Sequence, residues 1–204
     1  MTLTAKEAGG GGDFTLADEG THLAICNMVV DLGLQRTTWQ DEQKIKPQVY
    51  IRWELPNERI EYEKDGEQVN GPMTVGRIYT MSLGKKANLR HDLEAWRGRT
   101  FTSAELEGFD LANVAGKPCQ ITITHRQVGD KTYANVVSVA GWPKGMDVPT
   151  PENEVITYDS DVGAGYDLLP EWLQKKIDER VVEEPKQAEP VKVDYDDGVD
   201  IPFN

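Results

Sequence analysis

The stretch PQVYIRWEL, residues 47–55, leaves the chain the fewest options. Val49, Ile51, Trp53 and Leu55 alternate with Tyr50, Arg52 and Glu54. A period of two sends successive side chains to opposite faces, so this is a strand with one apolar and one polar face. THLAICNMVVDLG, 21–33, alternates less regularly but is rich in Val, Ile and Leu, and GRIYTMSL, 76–83, is a third strand. Between the second and third, ERIEYEKDGEQV sets a DG turn between short extended pieces. KKANLRHDLEAWRG, 85–98, then changes period: Ala87, Leu89, Leu93 and Trp96 fall at near-helical spacing, and Gly98 is a stop. After a loop over 100–116, KPCQITITHR and KTYANVVSVAGW read as two strands joined by a QVGD turn.

Strand, strand, strand, helix, strand, strand is the order of an OB-fold, a five-stranded barrel whose strand face and loops take single-stranded nucleic acid or oligosaccharide. The expectation is an all-β chain with one or two helices, the main one between strands 3 and 4, followed by a flexible acidic C-terminal tail. Residues 1–20, with GGGG at 9–12, read as a flexible arm, and 21–146 as the barrel. The segment 147–182 reads as a linker rich in proline and acid, carrying a short amphipathic helix at 169–181. There Leu169, Leu173 and Ile177 repeat every four residues and Pro170 suits a first helical position. Residues 183–204 read as a disordered acidic tail.

Charge divides the chain the same way. The net charge is −13, yet residues 147–204 hold 16 Asp and Glu against five Lys and Arg. The remainder has 19 acids against 17 bases and is close to neutral. Acidic blocks of this kind are interaction tails, and the body retains room for a local basic face. The two cysteines, Cys26 and Cys119, lie in apolar alternating stretches without CxxC spacing, and read as buried thiols in a reducing cytoplasm. No apolar run approaches the ~20 residues of a membrane span, and no leader-like apolar segment opens the chain. His22, His91 and His125 are isolated, the GGGG lacks the Lys-Ser/Thr of a phosphate-cradling loop, and 16 of the 35 carboxylates fall in the C-terminal quarter. The expectation is a non-enzyme without cofactor or metal.

Two stretches carry a resemblance. The tip DYDDGVDIPF is similar to the acidic tip of bacterial single-stranded DNA-binding proteins, which end on Asp residues followed by Ile-Pro-Phe or Leu-Pro-Phe. The body, through GTHLAICNMVVDLGLQ, IRWELP, LRHDLEAWRGRTFTSAELEGFDLANVAGKPC and THRQVGDKTYANVVSV, resembles phage-encoded OB-fold proteins assigned to single-stranded DNA binding. The likeness runs from about Gly20 to Met146. It implies a protein of a bacterial host's cytoplasm that coats single strands in replication or recombination. It also implies that Asp196, Asp197, Asp200, Ile201, Pro202 and Phe203 recruit replication or recombination proteins. Gly198 and Val199 interrupt the acids, and Asn204 moves the terminal carboxylate one residue beyond Phe203.

Sequence-tolerant binding of a single strand needs aromatic platforms for bases and cations for phosphates. Tyr50 and Arg52 share the polar face of the second strand, Arg77 and Tyr79 share a face of the third, and Arg126 lies opposite the apolar row of the fourth. These five form the expected set, with Trp39 in a polar loop between the first two strands and Tyr133 on the last. Residues 77–99 hold six bases, Arg77, Lys85, Lys86, Arg90, Arg97 and Arg99, against Asp92 and Glu94. Lys85 and Lys86 join the expected site, although they equally suit decoration of a helix start. Trp53 and Trp96 sit on apolar faces and read as core. The expected partners are single-stranded DNA and the proteins that read the tip; a monomer and an edge-paired homodimer fit equally well. The alternative is a protein-binding or DNA-mimicking decoy module that binds no DNA, for which the Tyr/Arg face would have no use.

Overall fold

The computed structural model describes residues 15–39, 42–64 and 66–182. Three antiparallel strands, β1 (Gly20–Trp39), β2 (Glu42–Lys64) and β3 (Glu67–Thr80), make two long hairpins. A second hairpin unit, β4 (Pro118–Val128) and β5 (Lys131–Ala140), pairs through β4 with the first residues of β1. The sheet order is β3-β2-β1-β4-β5, and its outer strands β3 and β5 approach one another, so the sheet curls into a half-barrel. Helix α1 (Asn88–Arg97) contacts both β3 and β5 and ends at Gly98. A one-turn helix α2 (Ser103–Glu107) and a 3-10 turn at Leu111–Val114 lead into β4. The predominance of strand and the scarcity of helix agree with the sequence pattern.

Several strands run further than their alternation suggests. The segments around Trp39 and Lys44, expected as loop, continue the ladder to its tip, with Thr37 opposite Lys44 and Trp39 opposite Glu42. The pieces flanking the DG signal belong to β2 and β3 themselves. Cross-strand hydrogen bonding satisfies the backbone of these polar arms, which no apolar pattern announces.

The curl begins in β1, whose register slips at Cys26/Met28 and again at Asp31/Gly33. Such bulges bend and twist a strand. Gly20–Ile25 pair with β4; beyond that point β4 has ended and β1 needs a new neighbour. A short strand β6 (Ile156–Tyr158) supplies it, running parallel to Met28–Val30.

Two hydrophobic clusters follow. Inside the curl, Cys26, Ile51, Trp53, Leu55, Cys119, Ile121 and Ile123 pack with Leu89, Leu93 and Trp96 of α1. Both cysteines are buried and unpaired, as their apolar setting implied. On the other side of β1 and β2, Met28, Val30, Leu32 and Tyr50 meet Tyr158, Leu169 and two residues of helix α3 (Glu171–Asp178), Leu173 and Ile177.

Residues 147–182, expected as a linker bearing a helix over 169–181, are therefore laid onto the sheet. The polar pins are specific. The buried Glu54 carboxylate accepts from the backbone N–H groups of Glu152 and Asn153 and from Asn153 Nδ2, each at 2.9 Å. Ser160 Oγ donates to Asp31 at 2.5 Å, Gln35 Nε2 to the Lys176 carbonyl at 2.9 Å, and Val181 N–H to the Leu34 carbonyl at 2.8 Å. Gly33, at φ +67°, leaves the space that Arg180 fills; a Cβ there would lie 2.8 Å from Arg180 Cδ. Within the expected N-terminal arm, Ala17 is buried, its carbonyl 2.8 Å from His125 Nε2. The remainder of that arm up to residue 14, and the tail 183–204 with Asp196, Asp197, Asp200, Ile201, Pro202 and Phe203, lie outside the described residues.

Candidate nucleic-acid interface

The pairing of β2 with β3 decides which side chains share a face. Tyr50 lies opposite Ile78 and Arg52 opposite Gly76, whereas Val49 faces Tyr79 and Ile51 faces Arg77. Directly paired residues point to the same side of an antiparallel sheet. The expected set of Tyr50, Arg52, Arg77 and Tyr79 is thus split between opposite faces.

Arg77 and Tyr79 belong to the inner side. Tyr79 is 3% exposed, and its hydroxyl donates to Asp92 of α1 at 2.8 Å. Arg77 Nη1 donates to the same carboxylate at 3.0 Å, and its guanidinium stacks 4.7 Å from the Tyr79 ring. Burial, helped by the Asp92 charge, holds the Tyr79 phenol above its ordinary range. This trio ties α1 to β3, and as placed neither Tyr79 nor the inner end of Arg77 is available as a stacking platform.

The rest of the basic stretch is also largely neutralised from within. Arg90 pairs with Glu94, and Arg97 and Arg99 both pair with Glu105. The backbone of Thr102 and the side chains of Arg99 and Arg97 hold the Glu105 carboxyl down to about 2, so it stays charged opposite them. Among the described residues, Lys85 and Lys86 have no ion-pair partner. They lie at the turn after β3 and line a groove of about 620 Å³ with Lys46, Arg77, Ile78 and Thr80. Lys46, at the base of the β1–β2 hairpin, is a residue the sequence pattern did not single out. It alternates in phase with Tyr50 and Arg52, which was the available signal.

On the outer face Tyr50 is 9% exposed, its ring lying across Gly76, where a Cβ would fall 2.1 Å from the phenol oxygen. Burial also pushes the Tyr50 phenol up in pKa, with the nearby Arg52 charge opposing. Arg52 is partly buried, which lowers its pKa, and its Nε donates to Asn27 Oδ1 at 3.2 Å. Tyr50 is covered by Trp172 of α3, whose ring meets it edge-on with centroids 5.0 Å apart. The face carrying Tyr50 and Arg52 is therefore shared with the C-terminal helix, where α3 contributes the exposed aromatic.

Arg126 and Tyr133 form a third locality. They are directly opposite each other near the tip of the β4–β5 hairpin, both exposed, Tyr133 by 49%. An aromatic beside a cation across a strand pair is the combination sought from sequence. Trp39 sits opposite Glu42 at the tip of β1–β2, with its side chain outside the described residues. Trp53 and Trp96 are core, the latter donating its indole N–H to the Pro118 carbonyl at 2.8 Å.

Among the described residues there is no group of three His, Cys, Asp or Glu side chains placed to hold a metal, and no helix is long and apolar enough to cross a membrane. What the geometry defines is a curled antiparallel sheet with one lysine-lined groove beside an aromatic outer face. No protein-family model matches the chain, and no curated protein is significantly similar to it.

Proposed function

We propose that this chain binds single-stranded DNA with little sequence preference, through an OB-type barrel of the phage-encoded kind, without catalysing a reaction. The observation that carries the reading is the groove in which, among the described residues, Lys46, Lys85 and Lys86 have no ion-pair partner while Arg77, Arg90, Arg97 and Arg99 are paired off. It is lined by Lys46 of β2 and by Arg77, Ile78 and Thr80 of β3, the pair of strands that OB barrels offer to nucleic acid. The hairpins β1–β2 and β4–β5 stand where OB barrels carry their binding loops, and the second displays Arg126 and Tyr133. The acids of 183–204, read with Ile201, Pro202 and Phe203, would engage replication or recombination proteins.

Oligo-dT titrated against intrinsic tryptophan fluorescence across a salt series tests the reading. Binding should be tightest at low salt and fall linearly in log K against log salt. Exchanging Lys85 and Lys86 for Ala should weaken binding to all sequences alike and lower the magnitude of that slope by about two. A silent titration, with no mobility shift at low salt, would favour the protein-binding or decoy alternative. The internal pairing of Arg77, Arg90, Arg97 and Arg99 speaks for that alternative, because it removes four of six bases from the surface charge.

A further inference from the structure

Helix α3 is buried along the stripe of Leu173 and Ile177, continued by Leu169 just before it. Trp172 lies off that stripe and remains 49% exposed. An indole accounts for a large apolar area, and helices of this size gain their stability from the buried face, so the exposed one needs another reason. Its position is fixed from below: Tyr50 meets it edge-on, and Tyr50 in turn rests on the bare backbone of Gly76. The apolar track continues sideways. Tyr50 pairs with Ile78, which is 39% exposed and lines the lysine groove, one strand spacing or about 5 Å away. Arg52, next along β2 on the same face, spends only its Nε on a protein partner among the described residues.

We propose that Trp172 is a base-stacking platform, and that a single strand crosses from it over Ile78 into the groove of Lys46, Lys85 and Lys86. This rests on the single-stranded DNA reading above and extends it: the C-terminal helix is part of the binding surface. An exposed indole over Tyr50, with Ile78 beside it and lysines that have no ion-pair partner among the described residues, suits a nucleobase followed by its phosphates. A peptide partner has no comparable need for three lysines lining the groove beside Ile78.

The test uses the full chain and its Trp172→Ala and Trp172→Phe variants, with fluorescein-labelled oligo-dT read by anisotropy and tryptophan quenching followed in parallel. Trp172→Ala should weaken binding by roughly 5- to 150-fold, the range that loss of one stacked base implies. The salt slope should stay unchanged, because no charge is removed. Trp172→Phe should retain most of the affinity while losing part of the quenching, which a purely structural role would not produce. If the unaltered chain binds and Trp172→Ala binds as tightly, the platform is wrong and the DNA reading stands. Equal weakening of both variants with a lowered melting temperature would also overturn it, marking Trp172 as a support for α3. If the unaltered chain does not bind oligo-dT, the DNA reading itself falls, and the platform with it.

Discussion

Cys26 and Cys119 show how far an apolar neighbourhood alters one side chain. Burial lifts the Cys26 thiol to about 12, against weaker lowering by the Met28 backbone and the Arg52 charge, and lifts Cys119 well above its usual value. The reactive species is the thiolate, so neither should react with a thiol reagent near neutral pH in the folded chain. Addition of denaturant should release two reactive thiols; prompt labelling of the native chain would contradict the placement of both in the inner cluster. Single residues also mark where sequence reading stopped. The burial of Val49, Ile51, Trp53 and Leu55 was legible because their alternation has only one apolar phase. The phase of Gly76–Thr80 was not, since Ile78 and Tyr79 are both large and largely apolar and fall on opposite faces. Only the pairing of Tyr79 with Val49, and an Asp92 positioned to accept its hydroxyl, selects the inward tyrosine.

Among the elements, α3 is the one whose meaning changes most. Its stripe was readable as amphipathic, but periodicity gives a helix its apolar side without saying what that side covers. The partner proved to be the outer face of β1 and β2, where Leu173 is fully buried among Met28, Val30 and Leu32. Leu173→Ala should accordingly cost about 2–5 kcal/mol in denaturant unfolding, the range for emptying a core leucine site. A loss below ~1 kcal/mol would mean that α3 is only loosely seated. The lysine groove was legible in half: Lys85 and Lys86 stood out by their run, but the neutralisation of the arginines around them depended on α1 and α2 turning Asp92, Glu94 and Glu105 back toward them. Trp172 carried a signal that went unread. It is an aromatic on an amphipathic helix outside the stripe of Leu169, Leu173 and Ile177, half exposed over Tyr50.

For the molecule as a whole, two truncations should have opposite effects. Ending the chain after Val182 removes acids that can compete with phosphates for Lys46, Lys85 and Lys86, so binding of oligo-dT should tighten at low salt and converge with the full chain at high salt. Weaker binding on that truncation would end the competition idea. Ending it at Met146, where composition alone would draw the boundary, removes β6 and α3 together and strips the cover from Met28, Val30, Leu32 and Tyr50. The same arrangement sets a timetable for synthesis. Met28–Val30 leave the ribosome early, yet their neighbour Ile156–Tyr158 is made nearly last among the described elements. Throughout that interval the nascent chain carries an uncovered apolar edge and face, a hazard shared by folds that depend on distant strand pairing. Chaperone demand should therefore persist until residues 156–177 have emerged, and translation pauses placed before that point should cost more soluble protein than pauses placed after it.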